Sequence, residues 1–238
     1  MNNPIALVTG ASRGLGLALA AGLAREGYSL IIDARDPAML EHAVVSIQEA
    51  SVLDKAVIAV PGDVTSPAHR DALRAAADDL GGLDLLVNNA GTLGAAPLPA
   101  LADYPIGALR AAFEVNVLAP VALTQILLPT LRKRGGAVLN VTSDAAVEAY
   151  SGWGGYGAAK AALEQASNVL ATEEPTVRVW WVDPGDIRTD MHQQAFPGED
   201  ISDRPLPAAV VPGFLRLAAE RMPSGRYRAT DLVPLATQ

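Results

Sequence analysis

The chain of 238 residues contains no cysteine, which excludes disulfide bonds and metal sites built on thiolates. Its three histidines, His42, His69 and His192, are scattered along the chain without the spacing of metal ligands, so we expect no metal site. Lysine is equally scarce, with three lysines against fifteen arginines, and the net charge is -8. An acidic chain without a long basic run is not expected to bind nucleic acid or an anionic membrane surface.

Targeting and membrane signals are also missing from the sequence. No charged leader or cleavable signal pattern precedes the first apolar run at Ile5, and no uninterrupted apolar run approaches the roughly 20 residues that span a bilayer. Only 18% of the residues are charged and 50% are hydrophobic, a composition that favours a large buried core over disorder. We therefore expect a soluble, cytoplasmic protein with no membrane partner.

What the sequence does contain is a regular alternation of apolar, β-branched runs with longer Ala/Leu-rich segments. This alternation predicts βαβ units, and hence an α/β fold with a parallel sheet covered by helices on both faces. The predicted strands are residues 5–9, 29–34, 56–61, 83–87, 137–142, 177–182 and a last strand at 226–232. The predicted helices include residues 15–25, 38–50, 67–80 and 158–171. No linker divides the chain, so we predict one domain over residues 1–238.

The first strand leads directly into a helix through the glycine-rich stretch "TGASRGLG". Gly10, Gly14 and Gly16 are placed where a turn is tight and where the backbone must approach a pyrophosphate closely. The N-terminus of the following helix offers free N–H groups and a positive dipole end to such an anion. A turn that uses glycine for its shape alone is the alternative.

The second predicted strand ends in "IIDARD", at the position where dinucleotide-binding folds meet the adenosine ribose. An acid there accepts a hydrogen bond from the ribose 2′-OH, whereas an arginine suits a 2′-phosphate. We place Ala34 at the ribose-facing position with Arg35 beside it and Arg13 as a second cation, which favours NADP over NAD. In another register Asp33 would read the ribose, and Arg35 with Asp36 could instead form a solvated turn.

One of the three lysines, Lys160, follows Tyr156 by four residues, so the two side chains share a helix face. A phenol with its ordinary pKa near 10 is a poor acid–base catalyst at neutral pH. A neighbouring ammonium favours the phenolate and lowers that pKa, and its compact shape can also hold ribose hydroxyls. The spacing therefore predicts a catalytic pair; an ordinary contact along a helix is the alternative.

Two further residues are candidates for the same chemistry. Ser143 ends a predicted strand, at the sheet edge where open α/β folds bind ligands, and its hydroxyl could hold a substrate carbonyl; it could also simply cap a helix. Asn116 lies four residues before Pro120, which lacks the N–H that would bond the Asn116 carbonyl. We expect a locally opened helix and an acceptor for a water that relays protons towards Lys160, unless the proline merely fits the packing.

These motifs, taken in order, resemble those of the short-chain dehydrogenase/reductase family over roughly residues 5–191. The matching stretches are "TGASRGLG", "GDV" (62–64), "NNAG" (88–91), "VNV" (115–117), "TS" (142–143), "YGAAK" (156–160) and "PGDIRT" (184–189). The tail lacks the Asp-Gly-Gly ending common in the family, which leaves open the subunit contacts that this tail makes.

The resemblance implies a Rossmann-like fold and a catalytic tetrad of Asn116, Ser143, Tyr156 and Lys160. It also implies a set of cofactor-binding residues: Gly10, Ser12, Arg13, Gly14, Leu15, Gly16, Arg35, Asp63, Val64, Asn89, Ala90, Gly91, Tyr156, Lys160, Pro184, Gly185, Ile187 and Thr189. Among these, Asp63 and Val64 would line the adenine, and Thr189 would hold the nicotinamide carboxamide.

We therefore predict a doubly wound sheet of about seven strands, in the order 3-2-1-4-5-6 plus a last strand. The predicted function is hydride transfer between NADP(H) and a small-molecule carbonyl/alcohol pair, by a homodimer or homotetramer. Residues of about 190–212 would form a substrate loop, with Trp153, Tyr150 and Leu93 in the pocket wall. The alternatives are a non-catalytic NADPH-binding regulator and a scaffold subunit.

Overall fold

The computed structural model describes residues 3–51 and 55–233 of the chain. The described residues form a seven-stranded sheet in the order β3-β2-β1-β4-β5-β6-β7, and every neighbouring pair of strands is parallel. The strands are β1 (Ile5–Val8), β2 (Ser29–Ala34), β3 (Val57–Pro61), β4 (Leu85–Asn88), β5 (Ala137–Val141), β6 (Arg178–Asp183) and β7 (Gly225–Arg228). The predicted fold class and strand order are confirmed.

Nine α-helices occur among the described residues and cover both faces of the sheet. They are α1 (Gly14–Arg25), α2 (Pro37–Ala50), α3 (Pro67–Asp79), α4 (Ile106–Phe113), α5 (Ala119–Arg134), α6 (Gly154–Glu173), α7 (Asp190–Ala195), α8 (Val211–Ala219) and α9 (Ala229–Leu232). Successive residues of a strand point to opposite faces, so Ile32 packs with Leu19 in the core beneath α1, whereas Ile31 packs with Leu73 and Leu127 in the other core.

Two sequence expectations are wrong in their bounds. The last strand ends at Arg228, and Ala229–Leu232 turns into the short helix α9. Residues 190–212 are not one loop, because they contain α7, a 3-10 turn at Pro207–Ala209 and the start of α8. The physical reason is helix initiation: the Thr189 side chain caps α7, and proline occupies the first turn of α8, a position where its missing N–H costs nothing.

A continuous helix runs from Ile106 to Arg134 and joins α4 and α5 through a π-helical segment, Glu114–Leu118. By length and composition alone it could cross a membrane, which the sequence analysis did not anticipate. Half of its most apolar stretch is buried inside the fold. Leu123, Leu127 and Leu131 of this helix belong to the core on the Ile31 face, as in a core helix of a soluble protein.

The topology determines where a ligand can bind. The chain passes from β1 outward to β2 and β3, then returns to the other side of β1 at β4. In such sheets the loops at the carboxyl ends of the strands part on either side of this switch point and leave a crevice. The segments that follow β1, β2, β4, β5 and β6 all contribute lining residues to one large cleft.

Candidate active site

Tyr156 and Lys160 lie one turn apart near the start of α6, and both are buried. The Nζ atom of Lys160 is 5.6 Å from the centroid of the Tyr156 ring and donates a hydrogen bond to the main-chain carbonyl of Val141 at 2.7 Å. The glycines of this helix allow the close packing: a Cβ on Gly157 would lie 2.5 Å from the carbonyl oxygen of Ala145. The predicted pair therefore faces the end of β5.

Burial moves the two pKa values in opposite directions. It lowers the pKa of Lys160 to about 8, because an ammonium loses hydration. Burial also raises the pKa of the Tyr156 phenol, and the carboxylates of Asp183 and Asp144 raise it further. The expectation of a lowered pKa for this phenol is wrong for the protein by itself, because burial outweighs the opposing effect of the Lys160 ammonium. The side chain is instead a neutral proton donor throughout the physiological range.

Ser143 follows β5 and lines the cleft. Its Oγ accepts a hydrogen bond from the N–H of Ala145 at 3.2 Å and donates one to Oδ1 of Asp144 at 3.0 Å. The hydroxyl thus caps the 3-10 turn Asp144–Ala146 while it also faces the cleft. The capping role that the sequence left open is confirmed, and the contact with a substrate carbonyl stays a prediction.

Asn116 lies in the π-helical segment, just before Pro120, and is fully buried. The predicted local opening of the helix is confirmed, since the α-helical pattern is interrupted at this point. Its side chain clamps Thr92: Oδ1 accepts from the Thr92 N–H at 3.0 Å, and Nδ2 donates to the Thr92 carbonyl at 2.8 Å. The side chain thereby fixes the segment after β4, and the water relay through the Asn116 carbonyl stays a prediction.

The glycine turn after β1 is fixed from two sides. Gly10 and Gly14 adopt positive φ angles of 65° and 57°, which favour glycine. A Cβ on Gly16 would lie 2.3 Å from the Gly10 carbonyl oxygen. The Asn89 amide donates to that same oxygen at 3.2 Å, and the Gly10 N–H donates to Asp33 Oδ1 at 2.7 Å. Asn89 therefore supports the turn in addition to lining the cleft.

The stretch "DARD" at the end of β2 contains the two candidates for contact with the ribose, Asp33 and Arg35. Asp33 is fully buried, and its second oxygen, Oδ2, lies 3.0 Å from Nε2 of His69. Both oxygens are thus engaged by protein groups, although Asp33 also lines the cleft. Arg35 is exposed and lines the cleft. Ala34 and Arg35 line the cofactor end of the cleft, which is the part next to β2 and the glycine turn, and the contact of Arg35 with a 2′-phosphate stays a prediction.

Asp63 and Arg13 form the rim around that end. The N–H of Thr65 donates to Asp63 at 2.8 Å; this bond is the main reason why the Asp63 pKa is low, and the charge of Arg35 contributes. Nη1 of Arg13 lies 2.9 Å from Oδ2 of Asp190 in an exposed ion pair. Arg13 is therefore held towards α7, which the sequence did not predict.

All the predicted cofactor residues line the same cleft, which has a volume of about 1260 Å³. Ser143, Tyr156 and Lys160 line it too, whereas Asn116 lies behind the wall. The predicted pocket wall of Leu93, Tyr150 and Trp153 is also present.

The far wall of the cleft is formed by α7 and the residues that follow it. Phe196 contacts both Trp153, with ring centroids 5.9 Å apart, and His192, at 4.9 Å. Nε2 of His192 is buried and has no hydrogen-bond partner among the described residues, so a ligand could supply one.

Three polar residues near the site, Arg226, Glu164 and Asp144, were not predicted from the sequence. Arg226 of β7 donates to Glu164 at 3.0 Å and to the Ser143 carbonyl at 3.2 Å. Asp144 contacts the Ser143 hydroxyl. An acid directly after a candidate catalytic serine was a visible signal for Asp144. The role of Arg226 and Glu164 depends on the pairing of β6 with β7 and has no local signature.

Comparisons with known proteins identify the family. A model of the short chain dehydrogenase family matches residues 4–200. The chain belongs to this family.

Two curated relatives of this dehydrogenase act on chemically different compounds, as their names state. Sepiapterin reductase of Mus musculus is 35% identical over 80% of this chain and 77% of its own length. The 7alpha-hydroxysteroid dehydrogenase of Escherichia coli K12 is 34% identical over 80% of this chain and 73% of its own. Among solved structures, a short chain dehydrogenase from Shigella flexneri 2a complexed with NADP superimposes with a TM-score of 0.88 at 30% identity, covering 97% of this chain and 98% of that one. The protein is thus an oxidoreductase of this family.

Proposed function

We propose that this protein reduces a carbonyl compound to an alcohol with NADPH, and catalyses the reverse reaction, through Asn116, Ser143, Tyr156 and Lys160. The observation that carries the proposal is that one cleft is lined by Ser143, Tyr156 and Lys160 on the side of β5 and by the glycine turn on the side of β1, two strands away. A dinucleotide has two ends in the same way, and the reacting end must meet the acid–base group.

The cofactor end of the cleft fits a dinucleotide phosphate. The turn at Gly10 and Gly16 leaves no room for side chains, so a pyrophosphate could approach the backbone at the N-terminus of α1. The exposed guanidinium groups of Arg13 and Arg35 line the same end and suit a 2′-phosphate. The NADP bound to the Shigella flexneri relative supports the same choice.

The side chains of the protein would orient the substrate and transfer the proton, while the cofactor supplies the hydride. When bound, NADPH supplies the hydride that adds to the carbonyl carbon. The Ser143 hydroxyl donates a hydrogen bond to the carbonyl oxygen and orients it. The Tyr156 phenol, kept neutral by burial, gives its proton to that oxygen as the alcohol forms. The Lys160 ammonium stabilises the phenolate left behind, and water at the Asn116 carbonyl would return a proton.

The names of the relatives support a carbonyl/alcohol pair as the reacting group, since one is a reductase and the other acts on a hydroxysteroid. We further propose that the protein acts in the cytoplasm as a homodimer or homotetramer. Neither proposal on assembly or location is needed for the chemistry.

The test is turnover of NADPH with a panel of ketones and quinones, in the wild type and in Tyr156→Phe. The variant should bind NADPH as tightly as the wild type, measured by cofactor fluorescence, and should lose turnover, because the ring lacks the proton. Comparable turnover in the Phe variant would remove Tyr156 from the mechanism. NADPH binding without turnover on any compound would favour the regulator or the scaffold subunit instead.

A further inference from the structure

The carboxylate of Asp144 sits beside the catalytic hydroxyl and has no part in the mechanism above. Its Oδ1 accepts the hydrogen bond from Ser143 Oγ at 3.0 Å. Its Oδ2 accepts a hydrogen bond from the Tyr150 hydroxyl at 3.1 Å. All three residues line the substrate end of the cleft. Asp144 is therefore a charged group in direct contact with the group that must hold the substrate.

This contact creates a competition for one proton. A serine hydroxyl has a single hydrogen to donate, and here Asp144 accepts it. Hydrogen bonds to an ionised acceptor are about twice as strong as those between neutral groups. A neutral ketone oxygen is thus the weaker competitor for the Ser143 proton. A substrate that only offers a carbonyl must draw the hydroxyl away from a carboxylate.

A substrate with its own donor removes the competition. An ammonium or N–H group two bonds from the carbonyl carbon could donate to Asp144 while the carbonyl oxygen faces Ser143. The carboxylate would then be satisfied, and the Ser143 proton would be available to the carbonyl. The donor of the substrate would pair with the Asp144 carboxylate, and the carbonyl oxygen of the substrate would pair with the Ser143 hydroxyl.

The surrounding charges favour the same class of substrate. Two carboxylates, Asp144 and Asp183, act on the Tyr156 phenol and raise its pKa. Asp144 is the one without an arginine partner among the described residues, since Asp183 lies 3.8 Å from both Arg226 and Arg228. Trp153 and Phe196 supply an aromatic wall that suits an aryl group or a cation. The opposing feature is Arg188, which is exposed and also lines the cleft and would attract an anionic substrate.

We propose that Asp144 determines specificity, by selecting carbonyl substrates that carry a protonated amine close to the carbonyl over neutral and anionic analogues. This inference rests on the proposed reductase function and adds the substrate class.

Three phenyl ketones of similar size test it: α-(methylamino)acetophenone, which is cationic when protonated, butyrophenone, which is its neutral isostere, and benzoylacetate, which is anionic. In the wild type, kcat/KM with NADPH should be about tenfold higher for the amine than for butyrophenone, as expected for one charge-assisted hydrogen bond, and lowest for benzoylacetate. In Asp144→Asn the preference for the amine should fall below about threefold. The reduction of butyrophenone should stay level or rise, because an amide competes less for the Ser143 proton.

Asp186→Asn is the matched control. Asp186 also lines the cleft, but its side chain is 64% exposed and lies 4.0 Å from Arg204, away from Ser143 in the hydrogen-bond network. This variant removes the same charge and should keep the preference for the amine. Tyr150→Phe provides a second variant should Asp144→Asn fail to fold: it removes one donor from the Asp144 carboxylate, so the preference for the amine should increase.

The inference is overturned if the wild type reduces butyrophenone as well as the amine, if Asp144→Asn keeps the preference, or if benzoylacetate is the best substrate. The last result would point to Arg188 as the selecting group. These outcomes differ from failure of the proposed function, in which the wild type binds NADPH and reduces none of the three ketones or any other carbonyl compound.

Discussion

The guanidinium of Arg226 donates a hydrogen bond from Nη2 to the main-chain carbonyl oxygen of Ser143 at 3.2 Å. Its Nε donates to Oε1 of Glu164 at 3.0 Å, and Glu164 in turn accepts from the Thr142 hydroxyl at 2.8 Å. A residue of the edge strand β7 thereby fixes the position of the residues that end β5. Under the proposed mechanism Arg226 is a positioning residue, because it would act on the reaction through Ser143.

The first prediction concerns this contact. Arg226→Ala should lower kcat about tenfold, since a displacement of Ser143 weakens its bond to the substrate carbonyl, a loss of about 1.4 kcal/mol. The KM for NADPH should stay the same. The free energy of unfolding should fall by about 1–3 kcal/mol, because Glu164 loses its cationic partner. The loss is no larger because the Arg226 side chain is 30% exposed and the ion pair is therefore partly screened by solvent.

Arg226→Lys separates the two effects in steady-state kinetics and a thermal melt. The lysine keeps a positive charge next to Glu164 and should restore most of the stability, but its single amine cannot span Glu164 and Ser143 together. Its kcat should therefore stay low. A Lys variant with full activity would show that only the charge matters.

The second prediction is a pH dependence. Burial lowers the pKa of Lys160 to about 8, from an ordinary value of 10.5. The ammonium is lost as the pH rises through its pKa, and with it the stabilisation of the phenolate. The kcat/KM for carbonyl reduction should therefore fall at high pH, with an apparent pKa between about 8 and 10.5. Tyr156 does not cause this loss, because its own pKa is raised.

Lys160→Arg is the control for that profile. A guanidinium stays protonated over the whole range, so the remaining activity of the variant, though lower at every pH, should show no such decline. An identical decline in both proteins would assign the titrating group to another residue. The measurement is kcat/KM across the pH range with NADPH at saturation.

The third prediction concerns the cofactor. NADPH should be preferred to NADH about a hundredfold or more, since each charge-assisted bond to the 2′-phosphate contributes roughly 1.5–3 kcal/mol and Arg35 and Arg13 can make two. Arg35→Ala should weaken NADPH binding and leave NADH binding nearly unchanged. Arg13→Ala should have a smaller effect, because Arg13 must first separate from Asp190. Equal kcat/KM for both cofactors in the wild type would contradict this assignment.

The fourth prediction tests the opened helix. Pro120→Ala restores an N–H that can bond the Asn116 carbonyl and removes a residue disfavoured within helices by about 3 kcal/mol. If that carbonyl holds a catalytic water, kcat should fall about ten- to a hundredfold, less than acid–base catalysis supplies as a whole, while NADPH affinity stays the same. Stability should not decrease in parallel. An unchanged kcat together with an unchanged melting temperature would show that Pro120 acts only through packing.

The parts of the fold that local sequence determines were predictable. The strands before Gly10 and after Tyr28 are short apolar runs bounded by turns, and the glycine turn and the Tyr156–Lys160 spacing need no knowledge of distant residues. The opened helix was predictable as well, because Pro120 removes a donor wherever the helix packs.

What the sequence could not determine depends on packing between distant segments. The pKa of Tyr156 is raised because burial removes water from the phenol, and that burial follows from the fit of α6 against its neighbours. The engagement of Asp33 by His69 joins residues 36 positions apart, and only the three-dimensional structure brings them together. The same holds for Arg226 and Ser143.

The buried position of Asp33 has a consequence for engineering. In dinucleotide-binding folds, an acid at the end of the second strand holds the ribose 2′-OH of NAD. Here an acid is already present, but it fastens the Gly10 turn to His69 and so is part of the scaffold. A substitution at Asp33 would remove the hydrogen bond that holds the glycine turn after β1 and should weaken the binding of either cofactor. Under the proposed assignment, cofactor specificity would instead be changed at Ala34 and Arg35, one and two positions further along the chain.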